Sequence, residues 1–104
     1  MPNRKAKILI VDDAVINRMI LCELLNDQYQ IIEAEDGKKA LEIMKEDKTI
    51  DLVLLDIVMP EMDGYQVLEK MKEQRYLEYL PVIIISSEGD TTSMEKAYEL
   101  GATD

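Results

Sequence analysis

Ile8-Leu9-Ile10-Val11-Asp12-Asp13 is an unbroken apolar run that ends in two carboxylates. Unbroken runs of this kind mark strands covered by helices on both faces, because alternation is needed only where one face meets water. Two more segments share the form: Leu52–Leu55 runs into Asp56, and Val82–Ile85 runs into Ser86-Ser87. A fourth, Ile31–Ile32 with Ala34, is weaker and reads as an edge strand. Between these segments lie stripes at helical spacing. They are Ile16, Met19, Ile20 and Leu24; then Ala40, Leu41 and Met44; then Val67, Leu68 and Met71; and last Met94, Ala97 and Tyr98. Met-rich stripes of this kind read as core packing. Gly37, Pro60, Gly64, Pro81, Gly89 and Gly101 fall at the joints. Asp36-Gly37 closes the second strand, Asp63 suits a cap for the third helix, and Gly101 the end of the fourth. The order β-α-β-α-β-α-β-α predicts an α/β fold with a parallel sheet and right-handed crossovers.

The composition sets limits on function. A chain of 104 residues has the size of one domain, and folding should bury roughly two thirds of its extended surface. Its formal charge of −10 repels nucleic-acid phosphates, so no nucleic-acid partner is expected. Cys22, the single cysteine, forms no internal disulfide and reads as a buried structural thiol in a helical pattern. Histidine is absent, which removes imidazole acid–base chemistry and His-ligated zinc and leaves carboxylates as the chemical resource. Arg4, Lys5 and Lys7 lead straight into a short apolar segment, unlike a signal peptide, and the apolar runs are too short to span a membrane. A cytoplasmic location is expected.

In an open parallel sheet the working crevice lies beyond the carboxyl ends of the strands. Here those ends carry Asp12-Asp13, Asp56 and Ser86-Ser87. Each alone has a plain structural reading: Asp13 a helix cap, Asp56 a solvated turn residue, Ser86 a satisfied hydroxyl. Together they would destabilise one another unless a cation neutralised them. No Lys or Arg follows these strand ends closely, so a metal is the natural counter-charge. All-oxygen ligation points to Mg²⁺, with Mn²⁺ able to substitute.

The run Ile8–Asp13, the run Leu54-Leu55-Asp56-Ile57-Val58-Met59-Pro60-Glu61-Met62-Asp63-Gly64 and the run Pro81–Ser86 together resemble the receiver domains of two-component response regulators. The resemblance spans essentially the whole chain. It implies a flavodoxin-like doubly wound sheet of strand order 2-1-3-4, with a fifth strand and fifth helix missing, so that residues 1–104 form a C-terminally incomplete receiver domain. It also implies that Asp56 is the phosphoacceptor, and that Asp13, Asp56 and the Val58 carbonyl ligate Mg²⁺, with Asp12 acting mainly through metal-bound water. Ser86 would hydrogen-bond the phosphoryl group and the small Ser87 would leave it room. Val58 and Glu88 would flank the crevice mouth and set the phosphoaspartate lifetime. The partner implied is a histidine kinase or phosphotransfer protein. The family's fifth-strand lysine and aromatic switch residue have no counterpart here, and no lysine of this chain stands at the crevice.

Three functions compete. The first is the phosphoacceptor switch, a signalling domain and not an enzyme acting on external substrates. The second is a receiver-like interaction module that is never phosphorylated. The third is an aspartate-nucleophile phosphohydrolase, whose second Asp would fall where Val58 stands. Val82 and Ile84 point to one face of the fourth strand and Ile83 and Ile85 to the other. A bare pair, and the strand edge beside it, would favour self-association.

Overall fold

The computed structural model describes residues 5–57, 59, 62–85, 99 and 101–103. They form β1 (Lys7–Val11), α1 (Val15–Leu25), β2 (Gln30–Ala34), α2 (Gly37–Glu46), β3 (Leu52–Leu55), α3 (Gly64–Glu73), a short 3-10 turn (Tyr76–Glu78) and β4 (Val82–Ile84). The strands make one parallel sheet in the order β2-β1-β3-β4. The expected α/β fold and strand order are therefore both observed. Val58, Ser86, Ser87 and Glu88 lie outside the described residues, as does the stripe of Met94, Ala97 and Tyr98. No described helix is long and apolar enough to cross a membrane.

The strand order explains the layers. The chain steps from β1 outward to β2, then turns back across β1 to β3 and on to β4. With right-handed crossovers, that reversal puts α1 on one face of the sheet and α2 and α3 on the other. Alternate strand residues serve the two faces. Leu9, Val11, Val53 and Leu55 are sealed beneath Ala40 and Met44 of α2 and Val67, Leu68 and Met71 of α3. Ile8, Ile10 and Leu54 face the other way, toward Leu21 and Leu25 of α1.

The second face corrects the sequence reading of α1. Ile16, Met19, Ile20 and Leu24, expected in the core, are exposed by between 52% and 72%. Leu21, Cys22 and Leu25 lie inward instead, and Cys22 is only half-buried. The reason is that α1 is apolar nearly all round. Two stripes at helical spacing compete, and periodicity alone does not say which one meets the sheet. At β4 the two faces differ in the same way: Val82 and Ile84 are buried, whereas Ile83 and Ile85 on the α1 side are only partly covered. The stripes of α2 and α3 pack as expected.

Local chemistry sets the joints. Asp36 caps α2 by accepting the Lys39 N–H at 2.7 Å, so Gly37 opens that helix rather than closing the strand before it. Asp63 and Gln66 form a reciprocal capping box at the start of α3, with bonds of 2.9 and 3.0 Å. Gly64, the first residue of α3, donates its N–H to the Ile57 carbonyl at 2.8 Å. A Cβ on Gly64 would stand 2.6 Å from the Asp56 carbonyl oxygen and 2.7 Å from the Ile57 Cα. The helix thus rests directly on the backbone that leaves β3. At the far end of the sheet, Lys7 donates to Asp47 at 2.9 Å and to the Thr49 hydroxyl at 2.6 Å, tying β1 to the connection after α2. The Thr49 hydroxyl, together with the Lys7 ammonium, holds the Asp47 carboxyl well below the usual carboxylate range. Beyond β4, Gly101 takes a φ of 117°, and the Thr103 N–H donates to the Val82 carbonyl at 2.8 Å on the strand's outer edge.

This packing makes two expectations. Leu68→Ala, on the sealed face, should cost about 2–5 kcal/mol, whereas Ile16→Ala on the outer side of α1 should stay within about 0.5 kcal/mol. Urea denaturation of the two variants measures the contrast. Gly64→Ala should cost at least 1–3 kcal/mol, roughly the penalty of overpacking, because its Cβ meets backbone rather than a side chain that could move. Denaturation measures that cost, and amide shifts at Asp56 and Ile57 should report the displaced backbone.

Candidate functional site

Register builds the site. Val11 pairs with Leu55, so the residues that follow, Asp12 and Asp56, leave adjacent strands side by side. The Asp56 N–H donates to the Val11 carbonyl at 2.9 Å and the Asp12 N–H to the Ala34 carbonyl at 3.1 Å, which holds both backbones as they leave the sheet. One carboxylate oxygen from each of Asp12, Asp13 and Asp56 lies within 4.8 Å of the other two. Asp12 is 2% exposed and Asp56 8%, while Asp13 is open to solvent. The three acidic residues singled out in the sequence are therefore brought together.

The plain reading of Asp13 fails. Ala14 is the cap of α1, and no side chain caps that helix. Asp12 is bonded on both oxygens, by the Ala14 N–H at 2.9 Å and the Asn17 side-chain amide at 3.2 Å.

A cation does come close, contrary to the sequence reading. Arg18 donates through Nη1 to the Asp12 carbonyl at 2.6 Å and through Nε to Glu33 at 3.1 Å. Its guanidinium is committed to a backbone carbonyl and to Glu33 rather than to the carboxylate cluster. In the sequence Asn17 and Arg18 each look like an ordinary helix-surface residue. The available signal was their place in the first turn after Asp12-Asp13.

Two carboxylates this close repel by roughly 3 kcal/mol at an effective dielectric near 20. A divalent cation reverses the sign of that interaction. The donors are hard oxygens, with neither imidazole nor thiolate in the group, and two of the three are buried. This set fits Mg²⁺ or Mn²⁺ and does not fit zinc. Beside the cluster lies an open cleft of about 250 Å³, lined by Asp12, Asn17, Ile20, Leu21 and Ile85.

Comparison with known proteins gives the same frame. The family model described as the response regulator receiver domain matches residues 8–104. A two-component response regulator of Oryza sativa, ORR3, is 33% identical over 105 residues, spanning all of this chain and 80% of that protein. A probable cyclic di-GMP phosphodiesterase of Vibrio cholerae is 44% identical over 97 residues, spanning 93% of this chain but 22% of that protein. Among solved structures, the CheX-CheY-BeF3-Mg complex of Borrelia burgdorferi matches with a TM-score of 0.86 at 32% identity, covering 96% of this chain and 75% of that one. Strand order, acidic cluster and family match converge: the chain belongs to the response-regulator receiver-domain family of two-component signalling.

Proposed function

We propose that this chain is a phosphoacceptor switch, in which Asp56 takes a phosphoryl group from a phosphohistidine on a histidine kinase or phosphotransfer protein. One observation carries the reading: Asp12, Asp13 and Asp56, from two separate strand ends, meet within 4.8 Å with two of them buried. A carboxylate oxygen of Asp56 attacks phosphorus, the bond from phosphorus to the donor imidazole breaks, and the imidazole leaves with that electron pair. When bound, Mg²⁺ supplies the positive charge that offsets repulsion between the Asp56 carboxylate and the phosphoryl oxygens. Asp13 and Asp56 would hold the ion directly with the Val58 carbonyl, and Asp12 through water. Ser86 would hydrogen-bond the transferred group and Ser87 would leave it room. Val58 and Glu88 would flank the crevice mouth and set how long the acyl phosphate survives. The formal charge of −10 and the short apolar runs support a cytoplasmic domain without nucleic-acid or membrane partners of its own.

Incubation with acetyl phosphate and Mg²⁺ should give an acid-stable, hydroxylamine-labile label on the wild-type chain and none on Asp56→Asn. A purely interacting module would take no label in either, and a phosphohydrolase would turn over a generic aryl phosphate.

Self-association belongs to the same proposal. Ile83 of β4, Ile85 just beyond it and the exposed stripe of α1 lie on the less covered face of the sheet, and two copies meeting along the β4 edge would bury part of that face. Sedimentation should find dimers or larger species at high concentration, and Ile16→Glu with Ile20→Lys should shift them to monomer. A well-folded wild-type monomer at high concentration would contradict this part.

A further inference from the structure

We propose that Asn17 is a positioning residue for the acidic pocket, fixing the Asp12 carboxylate in the orientation from which it meets a hydrated divalent cation; this rests on the phosphoacceptor reading. The two oxygens of Asp12 have separate donors, the Ala14 N–H at 2.9 Å and the Asn17 side-chain amide at 3.2 Å. Donors on both oxygens determine the rotation of the carboxylate about its last bond. The first is backbone and comes with any residue except proline. The second depends on the side chain at position 17.

The chemistry of that side chain matters. Outer partners that orient a ligand are often as consequential as the ligands themselves. A carboxamide donates a hydrogen bond without carrying charge, so it orients Asp12 while leaving the full negative charge for a cation. An ammonium at the same place would neutralise Asp12 and compete with the ion. Arg18, next in sequence, is kept out of that role by its own bonds to the Asp12 carbonyl and Glu33, with its side chain only 13% exposed. Those bonds tie the first turn of α1 to the ends of β1 and β2, and so set where Asn17 stands. Asn17 itself is an exposed residue bordering the cleft beside Asp12. Its amide faces the Asp12 carboxylate at 3.2 Å.

The test is Mg²⁺ calorimetry on the full chain, with urea denaturation in a chelator run in parallel. Asn17→Ala should weaken Mg²⁺ binding by about tenfold or more, in line with the cost of losing an orienting partner, and leave the metal-free unfolding midpoint unchanged. Asn17→Lys should weaken binding further, since its ammonium competes for the same charge. Unchanged Mg²⁺ affinity in both variants, with the wild type binding normally, overturns the role of Asn17 and leaves the phosphoacceptor reading standing. A metal-free midpoint that falls in step with affinity also overturns it, by making the residue structural. Absence of Mg²⁺ binding in the wild type overturns the phosphoacceptor reading itself.

Discussion

Two buried carboxylates at the ends of adjacent parallel strands are the constraint around which the rest of this molecule is arranged. The β1–β3 register leaves no freedom in the matter: with Val11 beside Leu55, Asp12 must emerge beside Asp56. Like charges in a place with little water raise the energy of the folded chain, so something must hold them there. Much of the surrounding structure does that. The Ala14 N–H and Asn17 amide hold Asp12. Arg18 pins its backbone. On the Asp56 side, α3 is seated against the Asp56–Ile57 backbone with only a glycine between, and its start is fixed by the Asp63–Gln66 capping box.

The two faces of the sheet share this task unequally. Below α2 and α3 the core is closed, and large side chains such as Leu55, Leu68 and Met71 are sealed from solvent. That side provides most of the apolar burial and gives the site a rigid floor. On the other side α1 meets the sheet through Leu21 and Leu25, while its opposite stripe faces outward. The contacts of Arg18 at its first turn, to the Asp12 carbonyl and to Glu33, therefore carry more of the task of locating α1 than they would in a helix packed on both sides.

Much of this was legible in the residues. The continuous apolar runs at Ile8–Val11, Leu52–Leu55 and Val82–Ile85 announce a doubly covered parallel sheet, and the carboxylates directly after the first two announce where its chemistry lies. Asp63 could be read as the cap of the third helix. The face that α1 presents was not legible, because Ile16-Ile20-Leu24 and Leu21-Leu25 satisfy the same spacing and only the tertiary contacts choose between them. The bonds of Asn17 and Arg18 were hidden for a different reason. A sequence gives the type of a polar side chain but not its direction, and both residues reach back to an Asp before the helix begins. Gly64 was placed at a joint, but the close backbone approach that requires it depends on two elements meeting in space.

The central claim, that crowded carboxylates await a divalent cation, is tested most directly by the thermal midpoint of wild type and Asp56→Asn, each with chelator and with Mg²⁺. The account predicts that Asp56→Asn melts higher than wild type without metal, because one of the repelling charges is gone, and that Mg²⁺ raises the wild-type midpoint more than that of the variant. A variant that melts lower without metal, together with a wild type indifferent to Mg²⁺, would contradict it.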